Sequence, residues 1–301
     1  MKRFALLLPL LLGAAQAPRP DRHDSAPMLV TPVWLAEHLH DRNLVLLHVG
    51  TEEEYAQRHI PGARYLDHMA LYWSSPEGLT LEMPPAESLR VRLEQMGISD
   101  DSRIVIYYGS DWVSIATRVY FTLYYAGLGE STSVLDGGMG AWVRTGRQTT
   151  TVSPDAQPGR LSPLQIRPLV VDGEWVRAHA QAPGYDLVDA RAAGFYDGVM
   201  EGGPREARRH GHIPGARSVP FDQVVDDSNV FKSAAQLSEL FRTAGIRTGD
   251  TIVGYCHIGQ QATAMLFAAR AIGFPVRLYD GSFQDWARRN WPVETVAAKA
   301  P

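Results

Sequence analysis

The chain has 301 residues, of which 45% are hydrophobic and 21% charged, with a formal net charge of −4 and a pI near 6.2. That is ordinary globular composition at a length that accommodates two domains. It excludes a general nucleic-acid binder, which needs a basic face to neutralise phosphates.

At the N-terminus, Lys2-Arg3 precede an apolar run from Phe4 to Leu12 and a small-residue stretch from Gly13 to Ala17. A charged start, a short apolar core and small residues are the layout of a secretory signal peptide, expected over residues 1–17, with an exported, periplasmic protein as the result. The apolar run is too short for a transmembrane helix, which needs about 20 such residues, and no later segment supplies one. No membrane span is expected.

The remainder is one unit written twice. His59-Ile60-Pro61-Gly62-Ala63-Arg64 recurs as His212-Ile213-Pro214-Gly215-Ala216-Arg217, and the flanking patterns recur in the same order. In the first copy, over residues 28–144, apolar runs at Val45 to Val49 and Ile104 to Tyr108 predict strands. Ala86 to Met96 and Ser114 to Ala126 predict helices, and Leu135-Asp136-Gly137 with Trp142 closes the unit. Residues 145–168 are rich in Thr, Pro and Gly, the composition of a linker. In the second copy, over residues 169–296, the strands are Asp186 to Ala190 and Ile252 to Cys256. The helices are Ala234 to Ala244 and Ala262 to Ile272, and Tyr279-Asp280-Gly281 with Trp286 closes the unit. Strands alternating with helices predict an α/β fold of two tandem domains, each a parallel sheet flanked by helices.

The chemistry-bearing stretch is in the second copy. Cys256, the only cysteine, stands where a strand hands over to a helix, and is followed by His257, Ile258, Gly259, Gln260, Gln261 and Ala262. Free N–H groups at a helix start attract anions and lower a thiol's pKa, and the thiolate is the nucleophilic form. Gly259 lets the backbone curl so that loop N–H groups converge on a sulfur or on an anion riding on it. A phosphatase of the Cys-x5-Arg type shares this layout but needs an arginine where Ala262 stands. A lone cysteine in an exported protein forms no internal disulfide, and its alternative reading is a small buried hydrophobe.

The tandem copies, Tyr55-x3-His59-Ile60-Pro61-Gly62-Ala63, the Asp-Gly-x4-Trp closing elements and the strand-borne Cys256 with its six-residue loop together resemble the two-domain rhodanese family of sulfurtransferases. The resemblance runs over roughly residues 28–296. It implies covalent catalysis. Cys256 takes a sulfane sulfur from a small anionic donor such as thiosulfate, with 3-mercaptopyruvate as the alternative sulfur donor, and the persulfide passes the sulfur to cyanide or a thiol. His257 to Ala262 would form the substrate and persulfide loop, with Asp189 and Arg191 in support, and no cofactor or metal is required. Asp189 is read first as a buried ion-pair partner or strand-end hydrogen-bonding group that fixes a loop. Phe195 stands where thiosulfate- and mercaptopyruvate-using relatives typically carry a second arginine, which leaves a rival reading as a sulfur-carrier or binding module without efficient turnover.

Three further expectations follow from the residues. Tyr108 occupies the place of Cys256 in the first copy, and His48-Val49-Gly50 that of Asp189-Ala190-Arg191, so the first copy is structural and roofs the second copy's pocket. The repeated His-Ile-Pro-Gly-Ala segment shapes the chain rather than doing chemistry. The insertion from Met200 to Gly211 is a solvated polar loop, and His210-x-His212 lacks the neighbours of a metal site. Nothing in the sequence fixes an oligomeric state.

Overall fold

Arg103–Tyr108 and Thr251–Tyr255 are almost wholly apolar, the pattern of strands covered on both faces. Each lies at the centre of a five-stranded, fully parallel sheet. The computed structural model describes residues 27–76, 78–110 and 113–296. The expected signal peptide lies outside the described residues.

The first domain contains β1 (Leu29–Val30), α1 (Pro32–His38), β2 (Leu44–Val49), α2 (Glu52–Gln57), β3 (Arg64–Leu66), α3 (Ala86–Gln95), β4 (Arg103–Tyr108), α4 (Val113–Tyr125), β5 (Thr132–Leu135) and α5 (Gly138–Arg144). Its sheet order is β1-β5-β4-β2-β3. The second repeats the plan with β6 (Val170–Val171), α6 (Gly173–His179), β7 (Tyr185–Asp189) and α7 (Ala193–Tyr196). After the short strands β8 (Glu201–Gly202) and β9 (Arg209–His210) come β10 (Arg217–Ser218), α8 (Ala234–Thr243), β11 (Thr251–Tyr255), α9 (Ala262–Ala271), β12 (Val276–Tyr279) and α10 (Ser282–Arg288). The order β10-β7-β11-β12-β6 is the first sheet's order read from its other edge. The predicted strands and helices agree with these elements to within a residue or two. Local chemistry sets several starts: Thr51 with Glu54 and Ser233 with Gln236 form capping boxes at α2 and α8.

The repeated His-Ile-Pro-Gly-Ala segment has the structural role its composition suggests. His59 stacks on Tyr55 and its Nδ1 lies 2.8 Å from the Tyr55 carbonyl; His212 stacks on Tyr196 and its Nδ1 lies 2.7 Å from the Tyr196 carbonyl. Gly62 and Gly215 follow at φ +81° and +79°, turning the chain into the next strand. The linker is tied down along the first domain: Thr150 pairs with His59, Ser162 donates to Asp100, and Leu161 donates to Glu94 and is buried.

The domains meet along α4 and α9. Tyr120 meets Phe267 edge-on at 4.7 Å, the hydroxyls of Thr117 and Thr263 are 3.0 Å apart, and Arg270 donates to the Tyr120 hydroxyl. One hydrophobic core runs through both domains across this seam.

Candidate active site

The site is built at the C-terminal edge of the second sheet, where loops after parallel strands gather. β11 ends at Tyr255 rather than continuing through Cys256, because the Cys256 N–H leaves the ladder and donates to Ser282 Oγ at 3.2 Å. The Cys256 and His257 carbonyls accept from Phe283 and Gln284, at the start of α10. Cys256 is fully buried. Five residues, 257–261, then carry the chain to α9, with Gly259 at φ +83°. Among the described residues, none of the backbone N–H groups of residues 257–261 has a protein acceptor. Such a run of free donors is a cradle for an anion.

Two buried guanidinium groups flank the loop. Arg191, two residues beyond β7, grips Asp189 bidentately, with Nε 2.9 Å from Oδ1 and Nη2 2.5 Å from Oδ2, and also donates to the Gly211 carbonyl. Asp189 further accepts from the Tyr255 hydroxyl, whose phenol burial pushes well up and keeps protonated. The Arg191 guanidinium lies 3.9 Å from the Phe283 ring centroid. Arg118, from α4 of the first domain, is the second. It pairs with Asp280 at 2.6 Å and donates to the carbonyls of Gly259 and Leu81. Burial works against both charges, but the adjacent carboxylates outweigh it and hold each arginine's pKa above its ordinary value; a thiolate at Cys256 reinforces both.

His257 is half-buried on the wall of the cavity beside the loop. Its ring packs edge-on against Phe195 at 4.5 Å, and burial, aided by the Arg191 charge, lowers its pKa to about 4. The ring is therefore neutral at neutral pH and brings no positive charge of its own to the loop. Gln260 accepts from the Tyr72 hydroxyl of the first domain, Gln261 lies on a cavity wall, and Ala262 is buried at the helix start. Ile258 is half-buried in the loop.

That cavity, of about 430 Å³, lies between the domains, walled by His257 and Gln261 of the loop with Ala192, Phe195, Phe221, Asp222, Val225 and Asn229 and, from the first domain, Val113. A second cavity, about 470 Å³ beside Arg177, Pro214 and Trp286, has no loop residue in its walls. The 200–211 insertion forms the β8–β9 pair, in which Glu201 faces Arg208 and His210. Among the described residues no cluster of three or more His, Cys, Asp or Glu side chains is placed to hold a metal.

The rhodanese-like domain model matches residues 31–145 and again 172–289. The chain belongs to the rhodanese family. It is 32% identical to the sulfur carrier protein TtuD of Thermus thermophilus over 86% of this chain and 93% of that one. Identity is likewise 32% to a probable 3-mercaptopyruvate sulfurtransferase of Pseudomonas aeruginosa, over 87% and 95%. Against the thiosulfate sulfurtransferase of Rattus norvegicus it is 30%, over 89% and 95%. Among solved structures, an anaerobic ergothioneine biosynthesis enzyme from Chlorobium limicola superposes with a TM-score of 0.79 at 24% identity, covering 93% of this chain and 73% of that one, a likeness of fold.

Within this rhodanese frame the strand registers fix the equivalence of the two copies. Tyr255 pairs with Asp189 as Tyr107 pairs with His48, and both tyrosine hydroxyls accept a backbone N–H, from Ile213 and Ile60. Tyr108 therefore stands at the place of Cys256. Sequence reasoning missed Arg118, Asp280, Tyr72 and Ser282. The only signal was the repeated Asp-Gly: Asp280 accepts from the Met83 N–H of the first domain, and Asp136 accepts from the Phe231 N–H of the second.

Proposed function

We propose that this rhodanese-family sulfurtransferase loads Cys256 with the sulfane sulfur of thiosulfate and delivers it to cyanide or a thiol. The observation that carries the reading is a buried cysteine heading a loop whose five following N–H groups have no protein acceptor, between two guanidinium groups each held by a carboxylate.

In the donor step the Cys256 thiolate attacks the outer sulfur of thiosulfate. The S–S bond of the donor breaks, its electron pair leaves with sulfite, and the enzyme keeps a persulfide anion. The loop N–H groups stabilise that anion as fixed dipoles needing no reorganisation. In the acceptor step cyanide or a thiolate attacks the outer sulfur, the persulfide S–S bond breaks, and its electron pair returns to Cys256 Sγ. Two half-reactions through a covalent enzyme form predict ping-pong kinetics. Asp189 and Arg191 act by holding the β7 end and by their charge, and no cofactor is invoked. Residues 1–17 are read as an export signal to the periplasm, which N-terminal sequencing of the mature protein tests.

The names of the Pseudomonas and Thermus relatives support two narrower alternatives, 3-mercaptopyruvate as donor and a carrier that holds the sulfur for a partner. Intact mass after incubation with excess thiosulfate separates them. The expected result is a gain of one sulfur atom, reversed by cyanide and absent from Cys256→Ser. No gain with thiosulfate but a gain with 3-mercaptopyruvate transfers the donor role. A stable persulfide that cyanide discharges only once, without steady turnover, supports the carrier.

A further inference from the structure

The cavity beside the loop is far larger than thiosulfate or cyanide needs. At about 430 Å³ it is within the range of sites that hold small organic molecules. Five of its nine lining side chains, Val113, Ala192, Phe195, Phe221 and Val225, are apolar, and the only charged one is the exposed carboxylate of Asp222. No lysine or arginine lines it among the described residues. The nearest guanidinium groups, Arg191 and Arg118, are fully buried, paired with Asp189 and Asp280, and form no part of the cavity lining. His257 forms part of the wall and packs on Phe195, an aromatic ring that favours apolar groups over anions.

Resting on the sulfurtransferase reading, we infer that this cavity seats the organic body of the sulfur acceptor, and that the acceptor it selects is a thiol whose body is apolar or cationic rather than anionic. The division of labour is physical. The loop N–H groups serve the sulfur and the small donor anion, whereas the cavity walls serve a carbon skeleton. The acceptor's thiolate attacks the outer sulfur, a new S–S bond forms to the acceptor, and the electron pair of the old one returns to Cys256. A sulfonate or carboxylate on the acceptor would meet the Asp222 charge and apolar walls with no lysine or arginine in the lining.

The test uses the full-length protein loaded with sulfane sulfur by inorganic polysulfide. The persulfide is then discharged with 2-mercaptoethanesulfonate, 2-mercaptoethanol, cysteamine or benzyl mercaptan. Loss of the extra sulfur is followed by intact mass, and each rate is taken per concentration of thiolate and divided by that for a small-molecule persulfide. Cysteamine and benzyl mercaptan are expected to exceed the sulfonate by about tenfold or more. Phe195→Arg should narrow or reverse that order, and Asp222→Asn, at an exposed position, should reduce the advantage of cysteamine over 2-mercaptoethanol. Rates within twofold of one another in the wild type, or the sulfonate fastest, overturn the inference. Cyanide is the control: if it discharges the persulfide while thiol preference is flat, only the acceptor assignment falls. If no Cys256 persulfide forms, the sulfurtransferase reading falls with it.

Discussion

At the scale of single residues, charge and burial decide what each group can do. His48 is the clearest case: it stands where Asp189 stands in the other copy, is buried, and neither ring nitrogen has a hydrogen-bond partner. Burial lowers its pKa from 6.5 to about 4, a shift that the nearby Glu54 carboxylate only partly opposes. The unfolded chain binds this proton more readily than the folded one, so stability is intact above pH 6.5 and is lost as pH falls toward 4. The loss from His48 is on the order of 3 kcal/mol. Urea midpoints between pH 7.5 and 4.5 should therefore fall steeply for the wild type and less steeply for His48→Phe, which keeps the ring packing without the proton. Asp189 behaves oppositely as a test of scaffold against chemistry. Asp189→Asn leaves Arg191 buried without a countercharge and should cost about 3 to 5 kcal/mol in stability. A loss of activity with no change in urea midpoint would make Asp189 part of the chemistry instead. Cys256, Asp189 and Arg191 are legible in the sequence because a thiol, a carboxylate and a guanidinium at strand ends announce themselves by type and position. The charge state of His257 is not, since it depends on Phe195 and Arg191, which only the folded chain brings beside it.

At the scale of elements, the Cys256 loop is shaped by a glycine and a strut. Gly259 has φ +83°, and a Cβ there would lie 2.7 Å from the Asp280 carbonyl. Gly259→Ala should thus cost about 1 to 3 kcal/mol of backbone strain and, by moving the loop donors, about a hundredfold in turnover. Steady-state kinetics with thiosulfate and cyanide check the second figure, and unchanged turnover would mean that loop curvature is irrelevant to catalysis. Arg118 is the strut, reaching across 141 positions of sequence to the Gly259 carbonyl. Arg118→Met strands Asp280 in the interior and should lower both activity and stability, the latter by about 3 to 5 kcal/mol. The elements themselves are readable from periodicity, helix stops at glycine and the duplicated motif. The strut is not, because nothing local to α4 marks one buried arginine as facing another domain's loop.

At the scale of the whole molecule, the two copies are one cooperative body. The core passes unbroken from one sheet's helices to the other's, and each domain's Asp-Gly corner accepts a backbone N–H from its counterpart. Calorimetry should show a single unfolding transition rather than two, with Arg118→Met lowering its midpoint; two well-separated transitions in the wild type would contradict a shared core. The duplication is plain in the sequence, but this reciprocity is not, since it depends on a near-twofold arrangement that places α4 on α9. Tyr108 shows where that arrangement leads. Standing at the place of Cys256, its hydroxyl donates to the Asn229 carbonyl of the second domain at 2.6 Å, and Asn229 lines the cavity beside the loop. Placing a cysteine there would remove the phenol that props that wall, so a second reaction centre could be gained only by damaging the first. The two copies are in this sense interlocked: the position at which the first could carry a thiol is the one that frames the second's cavity.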